Sequence, residues 1–428
     1  MLNRITTIVL TGLFCCCLCQ EGWSQETIPT PARIAVKAHR ILDVRSGKFL
    51  TDSAVLVEGR LIKSIGTPPG PEAGYKVVDL GDATLLPGLI DAHTHLMASS
   101  DDYGVMLLTQ SQAYRALEGA ANARRTLYAG FTTVRDVENE GSGYADVALR
   151  DAIARGLVEG PRMLVATRGI AAVGQYFPFG ISPDLPTFPH GAQMVSGVEE
   201  ARRAVREQIG NGADLIKVYA DWEYPTLTVE ELRVVVEEAH KAGRRVAAHA
   251  TTTQGIRNAL DAGVDSIEHG FFADRPTLQL MKKKGVWLVP TLGPLVNGAR
   301  APGDEASRKL AQKRLDHVRE MVRTAMEVGV KIAAGYDPGE SSVQGTNARE
   351  LVALRDAGLP SLEVIRAATL TASELLGLQD QIGALEAGKS ADMIAVSRDP
   401  LSDMRVLEHV TFVMKAGVVV KHEVGQVE

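Results

Sequence analysis

Cysteine is nearly missing from this chain: among 428 residues only Cys15, Cys16, Cys17 and Cys19 carry thiols, all close to the N-terminus. Once that segment is removed, neither a disulfide framework nor thiol chemistry remains, and an oxidising compartment would neither help nor harm the rest. Aromatic residues are also scarce, 5% within a composition that is 45% hydrophobic, which is the balance of a globular protein and not of a disordered, fibrous or polytopic one. An excess of basic charge is lacking too. With a net charge of -6 and scattered Lys and Arg, no basic face is available for nucleic acid.

The N-terminus departs from this plain composition. Arg4 supplies a positive start, Ile5 to Cys19 form a short apolar stretch, and Gly22-Trp23-Ser24 offers the small residues of a cleavage site. Residues 1–24 are therefore expected to be a signal peptide and the protein to be exported, periplasmic or secreted, with no stable membrane span after cleavage. The stretch is short for a membrane anchor. Phe14 and Leu18 disfavour a lipoprotein signal, which needs a small residue before the modified cysteine. Residues 25–33 read as a flexible leader.

From residue 34 to about 84, short Val/Ile/Leu runs alternate with turn residues, as they do again over 384–428, so a small β-sandwich built from both chain ends is expected. Between them, over 85–383, eight apolar runs alternate with helical stretches: LLPGLIDAHTH, FTTVRDV, RMLVAT, LIKVYA, VAAHA, SIEHG, WLVPT and KIAAGYD. Alternation of this kind marks βαβ units, and eight strands are what a TIM-like (β/α)8 barrel needs. VEELRVVVEEAHKAG, with apolar residues every three or four positions and a terminal Gly, fits one of the outer helices.

Polar residues recur where these runs end. His93 and His95 lie on one face of the first strand, about 7 Å apart along the backbone, and could share one metal ion or be two unrelated histidines. Lys217, His249, His269 and Asp337 close the fourth, fifth, sixth and eighth strands, at the end where active sites of such barrels lie. In LIKVYA, alternation turns Leu215, Lys217 and Tyr219 to the axis and Ile216 and Val218 to the helices. A cationic Lys217 in that setting is costly unless its charge is removed or paired. Burial favours the neutral amine, which can add carbon dioxide to become a carbamate able to bridge two cations, and a salt bridge to Asp221 is the alternative.

DAHTHL, IKVYAD, AAHA, SIEHG and AAGYD, in this order, resemble the amidohydrolase superfamily, in particular its imidazolonepropionase-like and prolidase-like branch. The likeness runs through the tail GALEAGKSADMIAVSRDPL and covers essentially the whole chain beyond the signal. It implies a binuclear site, with zinc as the expected ion: His93, His95 and Asp337 on one metal, His249 and His269 on the other, and carboxylated Lys217 between them. It also implies that Asp337 takes a proton from the attacking water and returns it to the departing amine. His39, His190, His240, His317, His409 and His422 lack a strand-end setting and read as surface or structural, His190 lying in an expected active-site loop.

The Gly-, Pro- and aromatic-rich segment 168–197 follows the third strand and is expected to roof the site. Arg168, Tyr176, Tyr219 and Tyr336 are candidates to bind a substrate carboxylate or carbonyl, or else are packing and surface residues. Many relatives carry a histidine where this chain has Gln344. The expected partner is a small-molecule amide or dipeptide, cleaved at a C–N bond in the manner of an Xaa-Pro dipeptidase or carboxypeptidase. A cyclic amidohydrolase of the imidazolonepropionase type and a catalytically inactive scaffold are the alternatives. The letters do not fix how many copies assemble, and a homo-oligomer is admitted.

Overall fold

The computed structural model describes residues 32–98, 102–176, 182, 184, 185, 188–300, 304–339 and 341–423. The expected signal peptide and most of the leader lie outside these residues. The first strands are β1 (Arg33–Asp43), β2 (Lys48–Glu58), β3 (Leu61–Gly66), β4 (Lys76–Asp79) and β5 (Thr84–Pro87). Then come the strands that carry the site: β6 (Leu89–Thr94), β7 (Phe131–Asp136), β8 (Arg162–Val165), β9 (Ile170–Ala172), β10 (Gln193–Val195), β11 (Leu215–Tyr219), β12 (Arg245–Ala250), β13 (Ser266–His269) and β14 (Trp287–Val289). The last are β15 (Met393–Val396), β16 (Phe412–Lys415) and β17 (Val418–His422).

Strands from the segments that flank the central region, expected to build a β-sandwich, are joined by hydrogen bonds into a single sheet. β5 lies between β1 and β15, so one eight-stranded sheet runs β17-β16-β15-β5-β1-β2-β3, with β4 beside β1. Its inner face carries a core of its own, including Val36, Val55, Leu85, Met393 and Phe412.

The apolar run LLPGLIDAHTH, expected as one strand, divides at Pro87-Gly88. β5 joins the outer sheet and β6 the inner one. Gly88 sits where a Cβ would lie 2.1 Å from Thr132 Oγ1, so the crossing point admits no side chain.

β6, β7 and β8 pair in parallel, as do β11, β12, β13 and β14. Asp214 N donates to Val165 O at 2.8 Å, which links β8 to the start of β11. The eighth expected strand, 331–337, is less regular than predicted and makes only an isolated bridge, Ile332 to Leu288. It still donates and accepts on both sides: Leu288 N to Lys331 O at 2.9 Å toward β14, and Ala92 N to Ala334 O and Asp337 N to His93 O, both at 2.8 Å, toward β6. These bonds lead the chain from β14 back to β6, the circuit of an α/β barrel. β9 and β10 were not anticipated. They form where the segment after β8 returns to pair beside β11 at Val218.

Side-chain alternation holds in β11. Ile216 and Val218 join the large core shared with the helices, whereas Leu215 packs inward with Val137, Ala166 and Ala247. The helix Val229–Lys241 begins with a capping box between Thr228 and Glu231 and is followed by Gly243 at φ 69°, so local chemistry sets both ends of one element in the outer ring.

Candidate metal-dependent active site

β6 delivers His93 and His95 to the mouth of the barrel, where the segment after β14 brings Asp337. His95 Nε2 lies 3.2 Å from His93 Nε2 and 3.2 Å from Asp337 Oδ1, and His93 Nε2 lies 3.7 Å from the same oxygen. One ligand atom from each of the three falls within 4.8 Å of the others. The opposite ring atoms are already engaged: His93 Nδ1 with Glu268 at 2.7 Å and His95 Nδ1 with Glu140 at 2.6 Å. Glu268 accepts the Nδ1 proton of His93 and Glu140 is ion-paired with the far side of the His95 ring, so both Nε2 atoms and the Asp337 carboxylate converge on one spot. Such a cluster of electron pairs calls for a cation, either a proton or a metal ion.

The second wing is built from β11, β12 and β13. His249 and His269 have ring centroids 4.5 Å apart, and His269 lies 5.2 Å from His93 by the same measure. His269 Nδ1 is 3.9 Å from Asp337 Oδ2, which joins the two wings. Burial, aided for His249 by neighbouring His269 and Lys217, holds His93 and His249 well below the usual imidazole range, and it lowers His269 to about 4. All three are therefore neutral ligands near pH 7. The buried His249 Nε2 has no hydrogen-bond partner among the described residues.

Lys217 is 1% exposed, and burial lowers its pKa against the pull of Glu268, Glu138 and Asp337. Its Nζ sits 5.0 Å from the centre of the Tyr219 ring, and no hydrogen bond or ion pair to it occurs among the described residues. The alternative pairing with Asp221 is not formed. That carboxylate instead accepts from the backbone and hydroxyl groups of Thr251 and Thr252. His95 differs: in spite of its burial, Glu140 and Asp337 raise it well above the usual imidazole range, so it carries a proton that a metal ion would displace. The donor set thus fits divalent metal: four imidazoles, one carboxylate, and a buried amine with no hydrogen bond or ion pair among the described residues.

Two of the strand-end residues reach the site only through strained backbone. His269 has φ 73° and Asp337 φ 56°, values that side chains seldom adopt. Simple alternation would have placed Glu268 and His269 on opposite faces, and the turn at His269 sends both inward. Asp91 braces the Asp337 side: it accepts from His93 N at 3.0 Å, Tyr336 N at 3.1 Å and Asn347 Nδ2 at 2.7 Å.

The supporting residues were not foreseen from sequence. Glu268, fully buried, receives both of its oxygens' bonds from Arg135 Nη2 at 2.8 Å in addition to the His93 contact. Arg135 also donates to Ser266 Oγ at 3.0 Å. Near the mouth, Glu138 accepts from Tyr176 at 3.1 Å and from Tyr219, and Tyr176 meets Tyr103 at 2.9 Å. Burial, reinforced by Glu140, raises Glu138 to about 7.

Of the four proposed substrate contacts, Tyr176 and Tyr219 lie together at this node, Tyr219 with its ring 5.1 Å from that of His249. Arg168 is turned away, donating to Ala192 O at 2.9 Å and Gly191 O at 3.4 Å, so it pins the returning segment. Tyr336 is 1% exposed and bonded through its hydroxyl to Thr346 at 2.9 Å and Asn297 at 3.1 Å, which makes it a packing residue of the wall. Gln344 donates to His95 O at 3.0 Å. Among the remaining histidines, His240 and His39 pair with Asp265 and Asp52 away from the site, and His190 lies between Tyr176 and Phe188.

Comparison with known proteins agrees with this architecture. The amidohydrolase family model matches residues 84–420. An ochratoxinase of Aspergillus niger is 31% identical over 430 aligned positions, covering 91% of this chain and 87% of the relative. An imidazolonepropionase of Deinococcus deserti is 25% identical, covering 90% of this chain and 94% of the relative. Among solved structures, an Xaa-Pro dipeptidase with methionine bound in its active site aligns with a TM-score of 0.82 at 32% identity, covering 91% of this chain and 100% of that one. On the match of family model, sequence and metal-ready donor set, this chain belongs to the amidohydrolase family.

Proposed function

We propose that this protein is an exported, binuclear metal-dependent amidohydrolase that cleaves a C–N amide bond in a dipeptide or an N-acyl amino acid. Its family makes it a hydrolase acting on carbon–nitrogen bonds. The finer reading rests on one observation above all: the Nε2 atoms of His93 and His95 and the Asp337 carboxylate converge within 4.8 Å of one another, near a buried Lys217 that makes no hydrogen bond or ion pair among the described residues.

In this reading His93, His95 and Asp337 hold one ion, His249 and His269 the other, and both are zinc. The Lys217 amine, once neutral, would add carbon dioxide and release one proton to solvent, and the resulting carbamate would serve as a further carboxylate donor to the metal ions. Divalent ions held there supply a Lewis acid for the scissile carbonyl and a water acidic enough to lose its proton near neutrality. Asp337, which pairs with His95 and lies well below the usual carboxylate range in spite of its burial, is ionised and so open to that proton. It then returns the proton to the departing amine, which leaves as a neutral group. Glu268 keeps His93 in the tautomer that aims Nε2 at the site, and Glu140 is ion-paired with His95 on the side away from it.

Kinship with prolidase-like enzymes supports a dipeptide or acylated amino acid as substrate, since a prolidase bound to N-methylphosphonate-L-proline aligns with a TM-score of 0.81 at 29% identity. Export is supported by the charge and hydropathy of residues 1–24. The test is a screen of dipeptides, N-acyl amino acids and cyclic amides against protein loaded with zinc and bicarbonate. Turnover of the open-chain amides is expected. Ring opening alone would favour the imidazolonepropionase-type alternative, and no hydrolysis by fully loaded protein would favour the scaffold.

A further inference from the structure

Aromatic residues are few in this chain, yet four of them occupy two short loops beside His249 and His269. Trp222 and Tyr224 follow β11, and Phe271 and Phe272 follow β13. The Trp222 ring lies 4.5 Å from His249 and stacks on Tyr219 at 5.2 Å with the planes 14° apart. Phe271 lies 5.4 Å from His269. Trp222 and Phe271 are half-buried beside these imidazoles, whereas Phe272 turns its ring to His317, 5.1 Å away, and Tyr224 is 58% exposed.

The loop after β12 stitches the other two together. Thr251 Oγ1 donates to Trp222 O at 3.0 Å, Phe272 N donates to Thr251 O at 2.9 Å, and Thr253 Oγ1 donates to Phe272 O at 2.6 Å. Asp221 fixes the backbone of Thr251 and Thr252 from below. The rings are thus presented on a braced backbone, and large apolar groups left open to water beside a polar reaction centre are what a ligand-binding wall requires. Arg168, foreseen as the grip on a substrate carboxylate, is spent on backbone carbonyls, which shifts recognition toward this wall.

We propose that Trp222 and Phe271 form a shelf for an aryl group, and that the substrates are amides bearing an aromatic ring on the part that lies against the His249 and His269 wing. The proposal rests on the C–N hydrolase reading and narrows its substrate class. Ring stacking of this kind favours an aryl over an alkyl group by roughly tenfold.

The test compares kcat/KM for N-benzoyl-alanine and N-acetyl-phenylalanine with that for N-acetyl-alanine, using the zinc-loaded full chain. The two aryl compounds place the ring on the acyl and the amine side respectively. One of them is expected to exceed N-acetyl-alanine by about tenfold, mainly through KM. Trp222→Ala should collapse that ratio, and Trp222→Phe should retain most of it. In parallel, N-benzoyl-alanine and N-acetyl-phenylalanine are titrated into metal-free protein by calorimetry, with Trp222→Ala as comparison. Hydrolysis of all three compounds at similar rates, or ring binding untouched by Trp222→Ala, would overturn the shelf while leaving C–N hydrolysis intact. Ring binding that depends on Trp222 without any hydrolysis would support the shelf and overturn the functional reading instead. Absence of both ring binding and aryl preference would remove the shelf.

Discussion

The buried pair Arg135–Glu268 offers a sharp test of how the first histidine is held. Glu268 is 0% and Arg135 3% exposed, and the carboxylate serves the guanidinium and His93 Nδ1 at once. Glu268→Gln keeps the volume but removes the counter-charge, leaving the guanidinium buried alone. Arg135→Met does the converse. Breaking such a pair from one side costs about 3–5 kcal/mol, because desolvation is no longer offset.

Removing both charges together abolishes the frustration, so the double variant should lose well under the sum of the single losses. A coupling of at least about 2 kcal/mol is expected, within the range for residues in direct contact. Urea unfolding of metal-free protein reads these differences without interference from bound ions. A second readout is zinc affinity. Loss of the acceptor that orients an imidazole weakens binding about 10- to 100-fold, so Glu268→Gln should lower affinity by that factor. Single effects that add within about 0.5 kcal/mol, together with unchanged zinc affinity, would refute the idea that the pair acts as one unit on His93.

Three further outcomes are expected. Lys217→Ala should disturb the metal pair and be partly rescued by short-chain carboxylic acids, as read by metal content and turnover; full activity without rescue would mean that no bridge exists. Asp337→Asn should keep the fold, by circular dichroism, while slowing turnover by about two to four orders of magnitude, the contribution usual for a positioned proton acceptor; wild-type rates would demand another base. Gly335→Ala would place a Cβ 2.7 Å from His93 Cβ and 2.5 Å from Val289 Cγ1, so it should cost about 1–3 kcal/mol and displace His93, seen as joint loss of thermal stability and zinc affinity; a change in neither would show that the wall yields freely.

The candidate site was legible in the sequence because its residues close separate apolar runs, His93 and His95 sharing one, and folding brings His93, His95 and Asp337 within reach of one another. The supporting residues were hidden by a narrower use of the same reasoning. An ionisable side chain inside a buried strand singled out Lys217, and it applies with equal force to Arg135 in FTTVRDV and Glu268 in SIEHG. Other features have no local signature. The inward turn of His269 depends on a φ of 73°, and Glu140 reaches His95 from a residue at φ 55°. Sequence left Arg168 open between a substrate contact and a packing residue, because its bonds depend on where residues 191 and 192 return, a long-range matter. The division of LLPGLIDAHTH between two sheets was likewise written only in the Pro87-Gly88 step, which composition alone does not distinguish from a strand interior.

The most direct measurement is the number of zinc ions bound per chain, by elemental analysis, after metal-free protein is equilibrated with zinc in the presence and absence of bicarbonate. If both wings and the Lys217 carbamate cooperate, bicarbonate should bring occupancy to about two ions, and its omission should leave the second site depleted. Occupancy that stays at or below one ion whatever the bicarbonate would contradict a shared binuclear centre.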